Sequence, residues 1–300
     1  MPLSRIAQRT IRDIKSLKIQ GARNIARAAV GALAAEARAF KGTSRGAFIS
    51  ALLVAADEIA ATRPNEPMLR NYLRYLVSRI TGQEGTVDEL KQEVAKLEQG
   101  IYVEMELSKK MLVDYGSQLI KSGGVYYTHC HSSTVVGILK EAYDDSKDFS
   151  VIVSETRPRY QGLKTAKALA SYGIPTTLIV DSAAHAYVRR ADAVLVGADS
   201  VSASGDLINK IGTCAIAQFA RSHQIPFYSA AELYKFDHLT KWGMLEPIEM
   251  RDPKEVYAGP VPKALKIENP AFDLTPAQLI TAYITERGII PPQSIMLLTK

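Results

Sequence analysis

The stretch that decides the fold is Gly123-Gly124-Val125-Tyr126-Tyr127-Thr128-His129-Cys130-His131-Ser132-Ser133. The paired glycines close a helical region, Val125 to Thr128 is a short β-rich run, and polar residues follow at once. The pattern returns downstream. Ser150 to Ser154 leads into Glu155-Thr156-Arg157-Pro158, Thr176 to Val180 into Asp181-Ser182, and Ala193 to Val196 into Gly197-Ala198-Asp199-Ser200. A fifth run covers Pro226 to Ser229, and helical stretches separate the runs. Strands alternating with helices predict βαβ units and a parallel sheet. Ligands of such sheets bind beyond the carboxyl ends of the strands, so the polar residues after each run form the candidate site.

Upstream, to about Gln118, apolar residues recur at intervals of three and four: Ile6, Ile11, Ile14 and Leu17, then Phe48, Leu52, Leu53, Ala56 and Ile59, then Leu69, Leu73, Leu76 and Val77. This spacing predicts a run of helices. Breaks are expected at Lys41 to Ser44, at Arg63-Pro64-Asn65-Glu66-Pro67 and at Gly82 to Gly85. Val87 to about Leu119 reads as one long helix, interrupted or bent near Gly100. The expected architecture is α/β, with a helical N-terminal domain over 1–120 and a parallel-sheet domain over 121–300.

The 300 residues are 47% apolar and 23% charged, as in soluble globular chains, which excludes a disordered or collagen-like protein. No uninterrupted apolar run reaches the roughly 18 residues of a membrane span. Two cysteines, Cys130 and Cys214, are too few for a disulfide framework, and no secretory signal opens the chain. The expected location is therefore the reducing cytoplasm. The net charge of +6 gathers at the start, where Arg5, Arg9, Arg12, Lys15, Lys18, Arg23, Arg27, Arg38, Lys41 and Arg45 meet only Asp13 and Glu36. That end should attract anions: nucleic acid, a membrane surface, a phosphorylated small molecule, or only water around ordinary helix faces. Phe40 and Phe48 are the only aromatic residues among the first fifty, which argues against stacking on single strands.

No Gly-x-Gly-x-x-Gly follows a strand, and neither a Walker-type loop nor a Gly-x-Ser-x-Gly elbow occurs, so nicotinamide, nucleotide-hydrolysis and serine-hydrolase chemistry lose ground. Cys130 ends a strand, where a thiol beside positive charge can act as base or nucleophile, and where it can equally pack as a small hydrophobe. His129 and His131 flank it but belong to the opposite strand face, which disfavours a His-Cys-His metal site. Asp199 follows an apolar strand and is a candidate for a carboxyl held protonated as an acid, or for an N-cap or an ion-pair partner. Asn209-Lys210-Ile211-Gly212-Thr213 is read as opening the helix toward Arg221, a plausible phosphate cradle.

Tyr127 to Ser133, Ser154-Glu155-Thr156-Arg157-Pro158 with Gln161-Gly162, and Val196-Gly197-Ala198-Asp199-Ser200 with Gly205 and Asn209 to Thr213 resemble the sugar-phosphate isomerases related to translation initiation factor 2B subunits. Tyr234-Lys235-Phe236, Glu249-Met250-Arg251-Asp252-Pro253, Asn269-Pro270-Ala271-Phe272-Asp273 and Ile284-Thr285-Glu286-Arg287-Gly288 extend the likeness toward the chain end. Archaeal ribose-1,5-bisphosphate isomerases are the nearest branch. The resemblance implies a helical N-terminal domain, a Rossmann-like C-terminal domain, catalytic Cys130 and Asp199, and no metal or other cofactor. It also implies a sugar bisphosphate substrate, AMP salvage as the pathway, a nucleotide effector, and dimers assembled into a hexamer. Neither membrane nor nucleic acid is an expected partner. Substrate-binding residues carried over are Gln20, Gly21, Ala22, Arg23, Arg63, Ser132, Ser133, Arg157, Asn209, Lys210 and Lys235.

Two other branches share the resemblance. Regulatory subunits of the translation exchange factor typically carry other residues at the Cys130 and Asp199 positions, so the pair favours an enzyme. Methylthioribose-1-phosphate isomerases keep the pair, while the segments 234–236 and 249–253 look more like the bisphosphate enzymes. One departure stands out: where that branch commonly reads Arg-Gly-Ala-Gly, this chain has Gln20-Gly21-Ala22-Arg23. Arg23, three residues on, is placed to replace the missing charge from the same helix face. The loop at Pro64-Asn65-Glu66-Pro67 also differs from the usual form.

Overall fold

The computed structural model describes residues 3–244 and 248–298. They form two compact units, Met1–Leu107 and Ser108–Lys300. The first consists of helices α1 (Arg5–Lys15), α2 (Ala22–Ala39), α3 (Arg45–Ala60), α4 (Pro67–Thr81) and most of α5 (Val87–Ser117), with breaks where Gly and Pro predicted them. Local chemistry sets the helix starts. Ser4 and Ser44 cap α1 and α3 by accepting the N–H of Ala7 and Ala47, and Pro67 opens α4. Before α5, Thr86 and Glu89 exchange hydrogen bonds as a capping box. The buried stripe of α2, with Ile25, Ala26, Ala29, Val30 and Leu33, packs on α1, α3 and α4. Helix α5 is the one long helix expected and has no interruption at Gly100, because thirty flanking helical residues outweigh one glycine's cost of about 1 kcal/mol.

The second unit is built on a seven-stranded sheet of β1 (Gly124–His129), β2 (Phe149–Ser154), β3 (Thr176–Ile179), β4 (Ala193–Gly197), β7 (Phe227–Ala230), β9 (Ala282–Thr285) and β10 (Gly288–Ile290). Its order is β10-β9-β7-β4-β1-β2-β3, parallel except for the final β9/β10 hairpin. A smaller antiparallel sheet joins β5 (Ser200–Val201), β6 (Leu207–Lys210) and β8 (Phe272–Thr275). Helices α6 (Ser133–Asp144), α7 (Gln161–Ala170), α8 (Ala184–Val188), α9 (Thr213–Ser222) and α10 (Ile295–Leu298) complete the unit.

Alternation along the strands splits the core in two, as period-two geometry requires. Tyr127, Ile152, Val194 and Val196 bury one face with Val188 of α8 and Ile216, Ala217 and Ala220 of α9. Tyr126, Val151, Val153, Ala193 and Leu195 bury the other with Ile138 and Leu139 of α6 and Ala166 and Leu169 of α7. Chain connection runs outward from β1 through β2 to β3, then returns to the other side of β1 at β4. The β1/β4 pair is therefore the topological switch point, beyond whose strand ends sheets of this kind bind their ligands. Cys130 follows β1 and Asp199 follows β4. Among the described residues no helix is long and apolar enough to cross a membrane.

Candidate active site

Cys130 takes a left-handed backbone conformation, φ 67°, which is uncommon for a residue with a Cβ. Its neighbours hold it there. Its N–H donates to Thr156 Oγ1 at 2.9 Å, and its carbonyl accepts from Thr165 Oγ1 at 2.8 Å. Thr156 is itself left-handed and donates its N–H to Asp181 Oδ1 at 2.8 Å. Side chains at the ends of β2 and β3 thus fix the turn after β1 and hold Cys130 in this conformation. The two histidines serve the same scaffold. His129 is buried with Nδ1 at 2.6 Å from Ser154 Oγ and Nε2 at 2.9 Å from the Ile211 carbonyl, and His131 Nδ1 lies 3.0 Å from Thr165 Oγ1. Burial lowers both imidazole pKa values, that of His131 to about 4, so both are neutral at pH 7.

Asp199 sits between β4 and β5, not at a helix start, so the N-cap reading fails. Its N–H donates to the Ile208 carbonyl at 3.0 Å. The two residues before it are also tethered: the Gly197 carbonyl accepts from Ser229 Oγ at 3.0 Å, and the Ala198 carbonyl accepts from Lys235 Nζ at 2.7 Å. Gly197 must lack a side chain, because a Cβ there would stand 2.8 Å from Cβ of Ser132. Ser132 caps α6 through the N–H of Val135, and Ser133 is exposed in its first turn.

Asn209 and Lys210 end strand β6, opposite Asp273 and Phe272, instead of opening a helix. Helix α9 begins at Thr213 after Gly212, whose φ is 100°. Its first amides are already engaged: the Asp273 carboxylate accepts from Gly212 at 2.7 Å and from Cys214 at 3.2 Å. This corrects the phosphate cradle expected there, because a carboxylate already fills the anion-binding end of the helix. Burial pushes Asp273 up to about 6, against the pull of those N–H donors and Lys210. Asn209 is buried and donates to Thr213 Oγ1.

Lys210 is the electrostatic centre of the cluster. Burial lowers its pKa, Cys130 and Asp199 raise it, Arg251 lowers it and Glu249 raises it. Burial pushes the Cys130 thiol up to about 11; Lys210, the His131 N–H and Arg251 draw it down, and Asp199 pushes it up further. Phe272 organises both cations, with Lys210 Nζ 4.9 Å and Arg251 Cζ 5.9 Å from its ring centre. Arg251 also pairs with Glu249 at 3.2 Å. Lys210 and Arg251 both favour the thiolate over the thiol.

The other candidate residues have visible partners. Arg157, exposed, donates to the Tyr160 hydroxyl at 2.6 Å and to the Val256 carbonyl at 3.1 Å. Lys235 is buried and holds the loop before Asp199. In the helical unit, Gln20 Nε2 donates to the Leu17 carbonyl, Gly21 precedes α2 with φ 84°, and Ala22 is buried. Arg23 pairs with Glu106 at 3.1 Å, and the buried Arg63 pairs with Glu66 at 3.3 Å. Sequence reasoning gives no role to Thr156, Asp181, Glu249, Arg251, Phe272 or Asp273. For Thr156 and Asp181 the available signal is their position after a strand; Glu249, Arg251 and Asp273 lie inside the family-like motifs without an assigned role.

A model of the Initiation factor 2 subunit family matches residues 18–292. The chain belongs to that family. A ribose 1,5-bisphosphate isomerase of Thermococcus kodakarensis is 42% identical over 286 residues, covering 93% of this chain and 89% of its own. A methylthioribose-1-phosphate isomerase of Desulforamulus reducens is 37% identical, covering 93% and 85%. Among solved structures, a translation initiation factor eIF-2B of Pyrococcus horikoshii superposes with a TM-score of 0.82 at 31% identity, covering 97% of this chain and 98% of its own. The fold of this family is the one expected from the strand and helix alternation. Relatives of this chain thus include proteins named as sugar-phosphate isomerases and as initiation factors.

Proposed function

We propose that the protein is an aldose–ketose isomerase converting α-D-ribose 1,5-bisphosphate to D-ribulose 1,5-bisphosphate, with Cys130 and Asp199 as its acid–base pair. The observation that carries this reading is their position just beyond the two strands of the switch point, with electrostatic interactions of Lys210 with both. The relatives named ribose 1,5-bisphosphate isomerase, at 37–42% identity, support the substrate.

The phosphate on C1 blocks spontaneous ring opening, so the enzyme must open the ring itself. Cys130, as thiolate, takes the proton from C2. The electron pair forms the C1–C2 double bond as the bond from C1 to the ring oxygen breaks, and protonated Asp199 delivers its proton to that oxygen. Cys130 then returns its proton to C1 while the C2 hydroxyl gives its proton to Asp199, leaving a ketone at C2. Both groups end as they began, and the scheme uses neither metal nor nicotinamide. It requires thiolate beside carboxylic acid, the protonation opposite to the usual one; Lys210 and Arg251 pull the sulfur toward that state, against the burial that pushes the thiol up to about 11.

Substrate binding is assigned to Gln20, Gly21, Ala22, Arg23 and Arg63 of the helical unit, and to Ser132, Ser133, Arg157, Asn209, Lys210 and Lys235, the last three acting from the end of β6 and from the Leu233–Lys235 turn and not as a helix-start phosphate cradle. The functional domains are 1–120 and 121–300, with the whole of α5 counted with the helical one. Assembly into dimers and a hexamer, a nucleotide effector, a role in AMP salvage and a cytoplasmic location belong to the same reading. The test is ribulose 1,5-bisphosphate formation by the purified protein, followed with a coupled carboxylase. No product, together with tight binding to an initiation factor, would replace the isomerase reading by that of a translation-factor subunit.

A further inference from the structure

The turn between β9 and β10 carries Glu286, whose two carboxylate oxygens each lie 3.1 Å from the N–H of Leu233. The hairpin itself has other support. Thr285 Oγ1 donates to the Gly288 carbonyl and accepts the Arg287 N–H, and β9 and β10 pair along their length. The Glu286 carboxylate is therefore directed outward from its own hairpin to a second segment. Leu233 opens the tight turn Leu233–Lys235, closed by the Lys235 N–H on the Glu232 carbonyl at 2.9 Å and the Phe236 N–H on the Leu233 carbonyl at 3.0 Å. From that turn the buried Lys235 reaches the Ala198 carbonyl at 2.7 Å, one residue before Asp199.

Resting on the reading of Asp199 as the general acid, we propose that Glu286 is a positioning residue for it, acting through the turn that carries Lys235. A charged acceptor holds a backbone N–H about twice as strongly as a neutral one, so the ionised carboxylate fixes the turn and the protonated one relaxes it. Burial pushes this carboxyl up to about 7; its own N–H and that of Leu233 pull it down, Glu232 pushes it up and Arg287 pulls it down. Glu232 and Arg287 are thus the charged groups that act on it. The clamp strengthens as pH rises through neutrality.

The experiment compares kcat/KM for ribose 1,5-bisphosphate across pH in the wild type, Glu286→Gln, Lys235→Met and the double variant. Glu286→Gln is expected to lower kcat/KM about fivefold at pH 8, to remove an ionisation near pH 7 from the profile, and to cause no further loss in the Lys235→Met background. Equal losses in both backgrounds, or an unchanged profile, overturn the proposal. Hydrogen exchange of residues 231–237 supplies a readout independent of turnover. Faster exchange there in Glu286→Gln supports the clamp even if the wild type proves inactive, which would defeat the isomerase reading alone. Unchanged exchange defeats the clamp.

Discussion

The helical and sheet units both pair arginines with carboxylates, but the sheet unit also turns two cations on a thiol. In the helical unit arginines pair with carboxylates: Arg63 with Glu66, Arg38 with Glu98, Arg23 and Arg27 with Glu106. The pairs of Arg23, Arg27 and Arg38 tie α2 to α5, that of Arg63 lies within the loop before α4, and each exposed one contributes no more than about 1 kcal/mol. In the sheet unit Lys210 and Arg251 flank one aromatic ring and act on a thiol, while Lys235 holds a backbone carbonyl. A charge matched by its own neighbours stabilises a fold. A charge directed at a titratable group changes what that group can do.

The largest effect expected is on turnover. Cys130→Ser and Asp199→Asn should each lower kcat by about 10²- to 10⁴-fold while leaving the melting temperature near that of the wild type. Full activity in either variant would take that residue out of the mechanism and erase the contrast between the units.

Glycines sharpen the contrast through stability. Gly162 begins α7 so close to β2 that a Cβ would stand on the Ser154 carbonyl oxygen. Gly162→Ala should cost about 3 kcal/mol or more in chemical denaturation, because the backbone must move. A smaller loss would show that the β2 end yields.

Lys210→Met isolates the charge acting on the sulfur. Losing the cation raises the thiol pKa further, so less thiolate is present at any given pH. In a Cys214→Ala background, iodoacetamide alkylation of Cys130 at pH 8 should slow by about tenfold or more, with its rise displaced to higher pH. An unchanged alkylation profile would remove Lys210 from the ionisation of Cys130.

Arg23→Ala asks whether the helical unit's cations do more than pair. Transfer of Arg23 from Glu106 to a substrate phosphate predicts KM raised about tenfold with kcat little changed. No change in KM would confine Arg23 to its ion pair. A wild type preferring methylthioribose 1-phosphate, indifferent to this substitution, would move the activity to that branch.

The smallest effect is a gain. Gly100 lies inside α5, and a Cβ added there would meet no atom within 4 Å, so Gly100→Ala should stabilise the protein by about 0.5–1 kcal/mol in thermal unfolding. Destabilisation would reveal a close contact at that helix face.

Much of this is legible in the chain. Five of the sheet's strands stand out as β-rich runs, since each is a short apolar segment bounded by turn residues, and their ends mark Cys130 and Asp199. The small sheet is not legible. Strand β5 has only two residues, and β6, Leu207-Ile208-Asn209-Lys210, is half polar and runs into Gly212 and α9, so by pattern alone it reads as a helix start.

By itself, then, the sequence determined the alternation of strands and helices, the helical first third and the residue types at the strand ends, because these depend on local propensity and on spacing along the chain. Only the tertiary structure decided that Asp273 fills the start of α9, that Arg251 joins Lys210 at Phe272, and that Lys235 steadies the loop before Asp199. Each of these joins residues twenty or more positions apart. Such contacts arise from strand order and register, which no local pattern encodes.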